Sequence, residues 1–213
     1  MMKPRVLLAD DHTLVLDGYR KILEGCCDIV GTAEDGRTLL KMAHQLLPDI
    51  VTLDISMPQL NGIDAARKLH RELPETKIIF VTMHADQAYL TEAFKAGATG
   101  YLLKRSAGSE LLQAIQSVMN GHNYVTPLIA KSLVQSMVTG RKPSLTTGQP
   151  LTPRQREVLQ LVAEGNTVKE IATALDISPK TVEFHKTQLM EQLDLHTTAE
   201  LTRYALTHGL ISS

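Results

Sequence analysis

Between residues 4 and 121 the sequence alternates five short apolar runs with five longer segments of helical periodicity. Short β-branched runs predict strands, and apolar residues spaced three and four apart predict helices. The predicted strands cover residues 5–9, 28–33, 49–53, 77–81 and 100–103. The predicted helices cover residues 13–24, 36–46, 58–72, 86–96 and 108–120. Continuously apolar strands that alternate with helices predict an α/β fold, a doubly wound five-stranded parallel sheet with helices on both faces.

The class of structure changes near residue 150. A short amphipathic segment at 127–138 is followed by residues 139–150, which are rich in Gly, Pro, Ser and Thr and predict a linker. Beyond it all periodic segments are helical, at about 153–164, 168–175, 179–193 and 198–208. We therefore predict an α/β domain at 1–122, a linker with a short helix at 123–150, and a small all-α domain at 151–213. A chain of 213 residues is long enough for two such cores.

The bulk composition excludes some classes of protein. The net charge is −1, and no apolar run approaches the roughly 20 residues of a membrane span. The N-terminus reaches Asp10 after a very short apolar stretch, which does not resemble a secretory signal. Cys26 and Cys27 are adjacent, so they suit neither an unstrained disulfide nor a metal site with wider ligand spacing. We expect a cytoplasmic protein that makes no contact with membranes.

Polar side chains follow four of the five predicted strands. Asp10 and Asp11 follow the first, Asp54 the third, Thr82 the fourth and Lys104 the fifth. In an open parallel sheet the carboxyl ends of the strands share one edge, where ligands bind. Taken singly, such a residue is more often a helix cap or a solvated charge. Together at one edge, these residues predict a crevice for a divalent cation and a phosphoryl group.

The residue types in this crevice suit phosphoryl transfer. Mg²⁺ prefers oxygen ligands and commonly takes one or two carboxylates together with phosphate oxygens. A carboxylate such as Asp54 is also a nucleophile toward phosphorus, while Lys104 and Thr82 suit phosphoryl oxygens. An aspartate-nucleophile phosphohydrolase is the alternative from the enzyme class. Such an enzyme needs a second Asp two residues after the nucleophile, and that position is Ser56. We expect slow self-dephosphorylation rather than an enzyme with a separate substrate.

Residues 168–193 have the pattern of a helix-turn-helix. Ser178 is a predicted N-cap, with Pro179 at the first helical position. In the second helix, spacings of three and four predict a core face formed by Val182, His185, Leu189 and Leu193. The opposite face predicts a recognition helix in the DNA major groove, where Lys180 and Lys186 suit phosphates. The other candidate DNA contacts are Thr181, Glu183, Phe184 and Thr187, of which Glu183 suits a cytosine amine and Phe184 a thymine methyl.

Charge argues against DNA binding by this domain. From Gly148 onward there are six Lys or Arg residues and eight Asp or Glu residues, a net charge of −2. DNA-binding domains usually show a basic surface. A phospho-signalling adaptor, whose helical domain binds another protein, therefore remains open on composition alone.

The first 121 or so residues resemble the receiver domain of bacterial two-component response regulators, whose sheet is flavodoxin-like. The matching residues are Asp10-Asp11-His12, Asp54 with Met57-Pro58 and Gly62, Thr82, and Gly100-Tyr101-Leu102-Leu103-Lys104. The resemblance implies that Asp54 is the phosphoacceptor for a sensor histidine kinase. It implies Mg²⁺ or Mn²⁺ bound by Asp11, Asp54 and the Ser56 carbonyl, with Asp10 acting through water. It also implies that Thr82 and Tyr101 form the switch pair.

Residues 151–211 resemble the LuxR-type DNA-binding domain. The matching stretches are Leu151-Thr152-Pro153-Arg154, Arg156-Glu157-Val158-Leu159, Glu164-Gly165, Lys169-Glu170-Ile171-Ala172 and Ser178-Pro179-Lys180-Thr181-Val182. Departures from the family pattern are Gln155, Val168 and Gln192. Together the two domains resemble the NarL/FixJ family of transcriptional regulators. The resemblance implies a phosphorylation-controlled regulator of double-stranded promoter DNA that forms a homodimer when phosphorylated.

Overall fold

A computed structural model describes residues 3–131 and 151–211 of the chain. The first part contains six strands in the order β2-β1-β3-β4-β5-β6, and all neighbouring pairs are parallel. The strands are β1 (Arg5–Ala9), β2 (Asp28–Ala33), β3 (Ile50–Leu53), β4 (Lys77–Thr82), β5 (Gly100–Leu103) and β6 (Tyr124–Val125). The helices are α1 (Thr13–Leu23), α2 (Gly36–Leu46), α3 (Gly62–Glu72), α4 (Gln87–Lys95) and α5 (Ala107–Met119). This architecture confirms the predicted α/β class.

The sheet separates two apolar cores. Along β1, the Leu7 side chain joins one core, while Val6 and Leu8 join the other, because successive side chains of a strand point to opposite faces. Leu39 of α2 and Leu69 of α3 pack on the first face, and the second face is covered by α1 and α5. Burial on both faces explains why the strands are continuously apolar in sequence.

Two details differ from the sequence prediction. The sheet has a sixth strand, in which Tyr124 and Val125 pair with the start of β5. Helix α3 begins at Gly62 rather than near Pro58, because the Asn61 side chain accepts a hydrogen bond from the Asp64 backbone N–H and caps the helix there. Residues 54–61 are therefore a loop between β3 and α3. The predicted segment at 127–138 is helical at 127–131, and its remainder lies outside the described residues.

The second part is helical, as predicted. Its helices are α6 (Pro153–Ala163), α7 (Val168–Leu175), α8 (Pro179–Leu193) and α9 (Thr198–Thr207). Thr152 and Gln155 form a capping box at the start of α6, and Ser178 caps α8 with Pro179 in the first turn. Val158, Ile171 and Leu201 lie in its fully buried core. Among the described residues, no helix is long and apolar enough to span a membrane.

Candidate functional site: the phosphoacceptor pocket and the recognition helix

The polar residues at the strand ends meet where the strand order reverses between β1 and β3. The Asp54 backbone N–H donates to the Ala9 carbonyl at 3.0 Å, so that Asp10 and Asp54 leave neighbouring strands side by side. Lys104 Nζ lies 2.8 Å from an oxygen of each carboxylate. Asp54, Ser56, Thr82 and Lys104 line one cavity. The predicted crevice is therefore present in the fold.

Burial sets the electrostatics of this crevice. Burial raises the pKa of Asp10, although the hydrogen bond and charge of Lys104 oppose this rise. Burial also works against the charge on Lys104, but Asp54 and Asp10 outweigh it and hold the Lys104 pKa above its ordinary value. One lysine thus balances two close carboxylates, and further positive charge at this site would lower the repulsion between them.

The acidic residues offer oxygen atoms to a cation. Asp10, Asp11 and His12 each place one ligand atom so that the three lie within 4.8 Å of one another. Asp10 Oδ2 and Asp11 Oδ1 are buried, and each has a nitrogen at 2.8 Å, Lys104 Nζ and His12 Nδ1 respectively. Closely spaced, buried carboxylate oxygens of this kind suit a hard divalent cation. Asp11 borders a second cavity, lined also by Met57 and Pro58.

The Asp54 carboxylate is held by its own loop. Asp54 Oδ1 accepts a hydrogen bond from the Ile55 backbone N–H at 2.7 Å, while Oδ2 faces Lys104. A Cβ atom on Gly62 would collide with the Asp54 carbonyl oxygen, so only glycine allows α3 to begin this close to β3. The Gly62 N–H donates to the Ile55 carbonyl at 2.8 Å and closes the loop.

Thr82 and Tyr101 occupy buried positions near the pocket. The Thr82 hydroxyl accepts from the His84 backbone N–H at 3.3 Å, and Tyr101 Oη donates to the His84 carbonyl at 2.9 Å. The Tyr101 ring is fully buried, and it does not line the cavity of Asp54. His84 therefore connects the two residues of the expected switch pair.

Sequence reasoning missed two residues beside the pocket. His84 Nε2 lies 2.9 Å from the Ser56 hydroxyl, and burial lowers the pKa of the His84 imidazole. The Tyr19 hydroxyl is buried and has no hydrogen-bond partner among the described residues, and its burial and the nearby charges of Asp10 and Asp54 raise its pKa. Neither residue ends a strand. His84 lies two residues after Thr82, so its sequence position places it near the end of β4 but indicates no role in the site.

Helix α8 exposes the face expected to contact DNA. Lys180, Glu183 and Thr187 are exposed, and Phe184 is 58% exposed, which is unusual for a large apolar side chain. Thr181 is half-buried, and its N–H donates to Ser178 Oγ. Lys186 is also half-buried and donates to Thr198 Oγ1 at 3.2 Å. The structure thus leaves all six expected contacts partly or wholly exposed, although Thr181 and Lys186 already have hydrogen-bond partners.

The predicted core face of α8 is confirmed in part by burial. Val182 and Leu189 are fully buried, whereas His185 and Leu193 are half-buried. His185 Nδ1 is buried and has no hydrogen-bond partner in the part of the chain that the structure describes, and its ring meets Phe184 edge-on at a centroid distance of 5.7 Å. Two departures from the family pattern interact directly, because Gln155 Nε2 donates to Gln192 Oε1 at 3.0 Å.

Comparison with known proteins identifies both domains. Residues 6–116 match the response regulator receiver domain, and residues 149–205 match bacterial regulatory proteins of the luxR family. The transcriptional regulatory protein MctR of Rhizobium johnstonii is 39% identical over 99% of this chain and 96% of its own length. The oxygen regulatory protein NreC of Staphylococcus carnosus is 38% identical over 97% of this chain and 99% of its own.

Solved structures agree with this similarity. The RcsB response regulator of Salmonella typhimurium is 31% identical, with a TM-score of 0.65, and the match covers 96% of this chain and 97% of that one. RcsB bound to the promoter P1flhDC in the presence of the phosphomimetic BeF3⁻ is 31% identical, with a TM-score of 0.59 over 95% and 98% of the two chains. The chain therefore belongs to the NarL/FixJ family of two-component response regulators, with a receiver domain followed by a LuxR-type helix-turn-helix domain.

Proposed function

We propose that this protein accepts a phosphoryl group on Asp54 from a sensor histidine kinase and, when phosphorylated, binds promoter DNA as a homodimer. The observation that carries the proposal is the position of Asp54 beside Asp10 and Lys104, next to Thr82 in one cavity. Membership of the response regulators supports a kinase partner. The cytoplasmic location expected from the sequence is part of the same proposal, because both cysteines are free.

In this mechanism an Asp54 oxygen attacks the phosphorus of a phosphohistidine. The new P–O bond forms as the P–N bond breaks, and the leaving imidazole takes the electron pair. Lys104 and the Thr82 hydroxyl would contact the transferred phosphoryl oxygens. Asp11, Asp54 and the Ser56 carbonyl would hold Mg²⁺ or Mn²⁺, with Asp10 acting through water. The bound cation would neutralise charge on the transferred group.

The wild-type protein is expected to gain one phosphoryl group when it is incubated with acetyl phosphate and Mg²⁺. Because buried carboxylates repel an incoming anion, removal of the metal with EDTA should stop this reaction. Intact-mass spectrometry measures uptake, and borohydride reduction followed by peptide mapping identifies the phosphorylated aspartate. Uptake that persists in EDTA, or that maps to another residue, would contradict this assignment.

The family supports a DNA-binding function for the helical domain despite its acidic composition. Two of the eight acidic residues lie away from α8. Glu157 is buried and faces Lys68 of the receiver, and Glu164 accepts a hydrogen bond from the Gln59 backbone N–H. The net charge of −2 therefore overstates the negative charge near the recognition helix. Lys180 and Lys186 are the cations that we propose for phosphate contacts, with Thr181, Glu183, Phe184 and Thr187 facing the bases or the backbone.

A Lys180→Ala/Lys186→Ala variant is expected to lose binding across all DNA sequences. In the proposed homodimer the two substitutions remove four phosphate contacts, which should lower the magnitude of the slope of log K against log salt by about 3.6, at roughly 0.9 per contact. Footprinting and a salt titration measure these effects, and Lys41→Ala, on the exposed face of α2, is the matched control. If the wild type enriches no DNA over input, the alternative of a protein-binding adaptor is favoured.

A further inference from the structure

The helix-turn-helix domain packs against the receiver beside the phosphoacceptor loop. Arg156 of α6 donates from Nη2 and Nε to the two oxygens of Asp64 in α3, at 2.8 to 3.1 Å. Asp64 is 2% exposed. Burial opposes its charge, but the hydrogen bonds and charge of Arg156 outweigh this and lower the Asp64 pKa. A buried, bidentate ion pair of this kind provides a geometrically specific contact between the two domains.

Gln160, one helical turn after Arg156, holds the β3–α3 loop itself. Its side-chain amide donates to the Met57 carbonyl at 2.8 Å, and its carbonyl accepts from the Asn61 backbone N–H at 2.8 Å. Gln160 is fully buried. The loop that follows Asp54 and includes Ser56 is therefore fixed by a residue of the other domain.

Residues that follow and end α9 also border the pocket. Leu206, Thr207, Gly209 and Ile211 line the same cavity as Asp54 and Lys104. A Cβ atom on Gly209 would collide with the hydroxyl of Tyr89, whose ring stacks on His84 at a centroid distance of 4.1 Å. The docked domain thus covers part of the approach to Asp54.

Within residues 3–131 and 151–211, the outward face of α8 takes no part in this packing. Lys180, Glu183 and Phe184 remain exposed while α6 and the end of α9 contact the receiver. Docking through these elements therefore does not cover the recognition face. The docked domain instead affects access to the pocket that contains Asp54.

We propose that docking of the helix-turn-helix domain through α6 and residues 206–211 restrains phosphorylation of Asp54 while the recognition helix stays free. The contact acts in two ways. Gln160 restrains the β3–α3 loop, and the C-terminal residues narrow the approach of a phosphoryl donor. This inference rests on the proposed role of Asp54 as phosphoacceptor.

Two variants of the full-length protein loosen opposite ends of the contact. Lys68→Glu places a carboxylate against the buried Glu157, and the Lys68 side chain has its ion pair at this contact alone among the described residues. Gly209→Ala adds a methyl group where the Tyr89 hydroxyl lies. Lys41→Glu, an equal charge change on the exposed face of α2, is the control. Thermal melting verifies that each variant is folded.

The hydrogen-exchange rates of two backbone amides report directly on docking. The N–H groups of Gln59 and Asn61 donate to Glu164 and Gln160 across the contact, whereas the Gly62 N–H bonds within the receiver and is an internal reference. NMR hydrogen exchange measures all three. The rate of phosphorylation by acetyl phosphate with Mg²⁺ is measured on the same proteins by intact mass.

We expect both variants to accelerate exchange at Gln59 and Asn61, and to be phosphorylated roughly five- to tenfold faster than the wild type and the control. Faster exchange with an unchanged phosphorylation rate would overturn the restraint. Equal exchange in all proteins would overturn the docking. If no protein is phosphorylated, including the wild type, the assignment of Asp54 as phosphoacceptor fails together with the restraint, a result distinct from the first two.

Discussion

An Asp54→Asn variant is expected to take up no phosphoryl group from acetyl phosphate and Mg²⁺ under conditions in which the wild type is fully modified. The amide of asparagine is not a nucleophile toward phosphorus, and it offers a weaker ligand to a cation. The substitution keeps the shape of the side chain. Its carbonyl oxygen can still accept the hydrogen bond from the Ile55 N–H, so the fold should be preserved.

The control for this variant is Asp17→Asn, the same chemical change at an exposed position of α1. It should be modified at the wild-type rate. Intact mass measures the uptake, and thermal melting compares the stability of the three proteins. An Asp54→Asn protein that still gains a phosphoryl group would overturn the assignment of the site.

A Lys104→Met variant is expected to lose stability and most of its phosphorylation. Lys104 is the cation that lies 2.8 Å from both Asp10 and Asp54, and its side chain is only 11% exposed. Removing one partner leaves two buried carboxylates facing each other, which should lower the free energy of unfolding by about 3 kcal/mol at neutral pH. Urea unfolding measures this loss, with Lys41→Met as the control.

The sign of the pH dependence follows from the raised pKa of Asp10. Without Lys104 that pKa should rise further, so the folded variant binds a proton more readily than the unfolded chain does. The stability difference between Lys104→Met and the wild type should therefore shrink as the pH falls through the raised Asp10 pKa, and should be largest above it. Mg²⁺ should stabilise the variant more than the wild type. A difference that is independent of both pH and Mg²⁺ would contradict the electrostatic explanation.

The pocket was predictable because of one property of parallel sheets. Asp10, Asp54, Thr82 and Lys104 lie far apart in sequence, but each follows a strand, and the topology brings the carboxyl ends of those strands to one edge. The short apolar runs that identify the strands are a strong local signal. A residue at a strand end can therefore be placed in the site before any contact is known.

Other features had no comparable signal. Strand β6 contains only Tyr124 and Val125, too few residues to show a period. The start of α3 depends on the capping hydrogen bond of Asn61, which competes with the equally plausible helix-starting residue Pro58.

The contact between the domains also could not be predicted from the sequence. It requires Arg156 and Gln160 to meet Asp64 and Asn61, four polar residues that read individually as surface or cap positions. Only the tertiary arrangement pairs them. Glu157 and Glu164 belong to the same contact, which explains why the composition of the helical domain gave a misleading impression of its DNA-binding face.

The central proposal is that phosphorylation of Asp54 controls DNA binding. Its most direct test is the affinity of the wild-type protein for a DNA fragment recovered by binding selection, measured by fluorescence anisotropy before and after complete phosphorylation, with Asp54→Asn measured in parallel. We expect phosphorylation to tighten wild-type binding by about tenfold or more and to leave Asp54→Asn unchanged. Equal affinity of the phosphorylated and unphosphorylated wild type would contradict the claim.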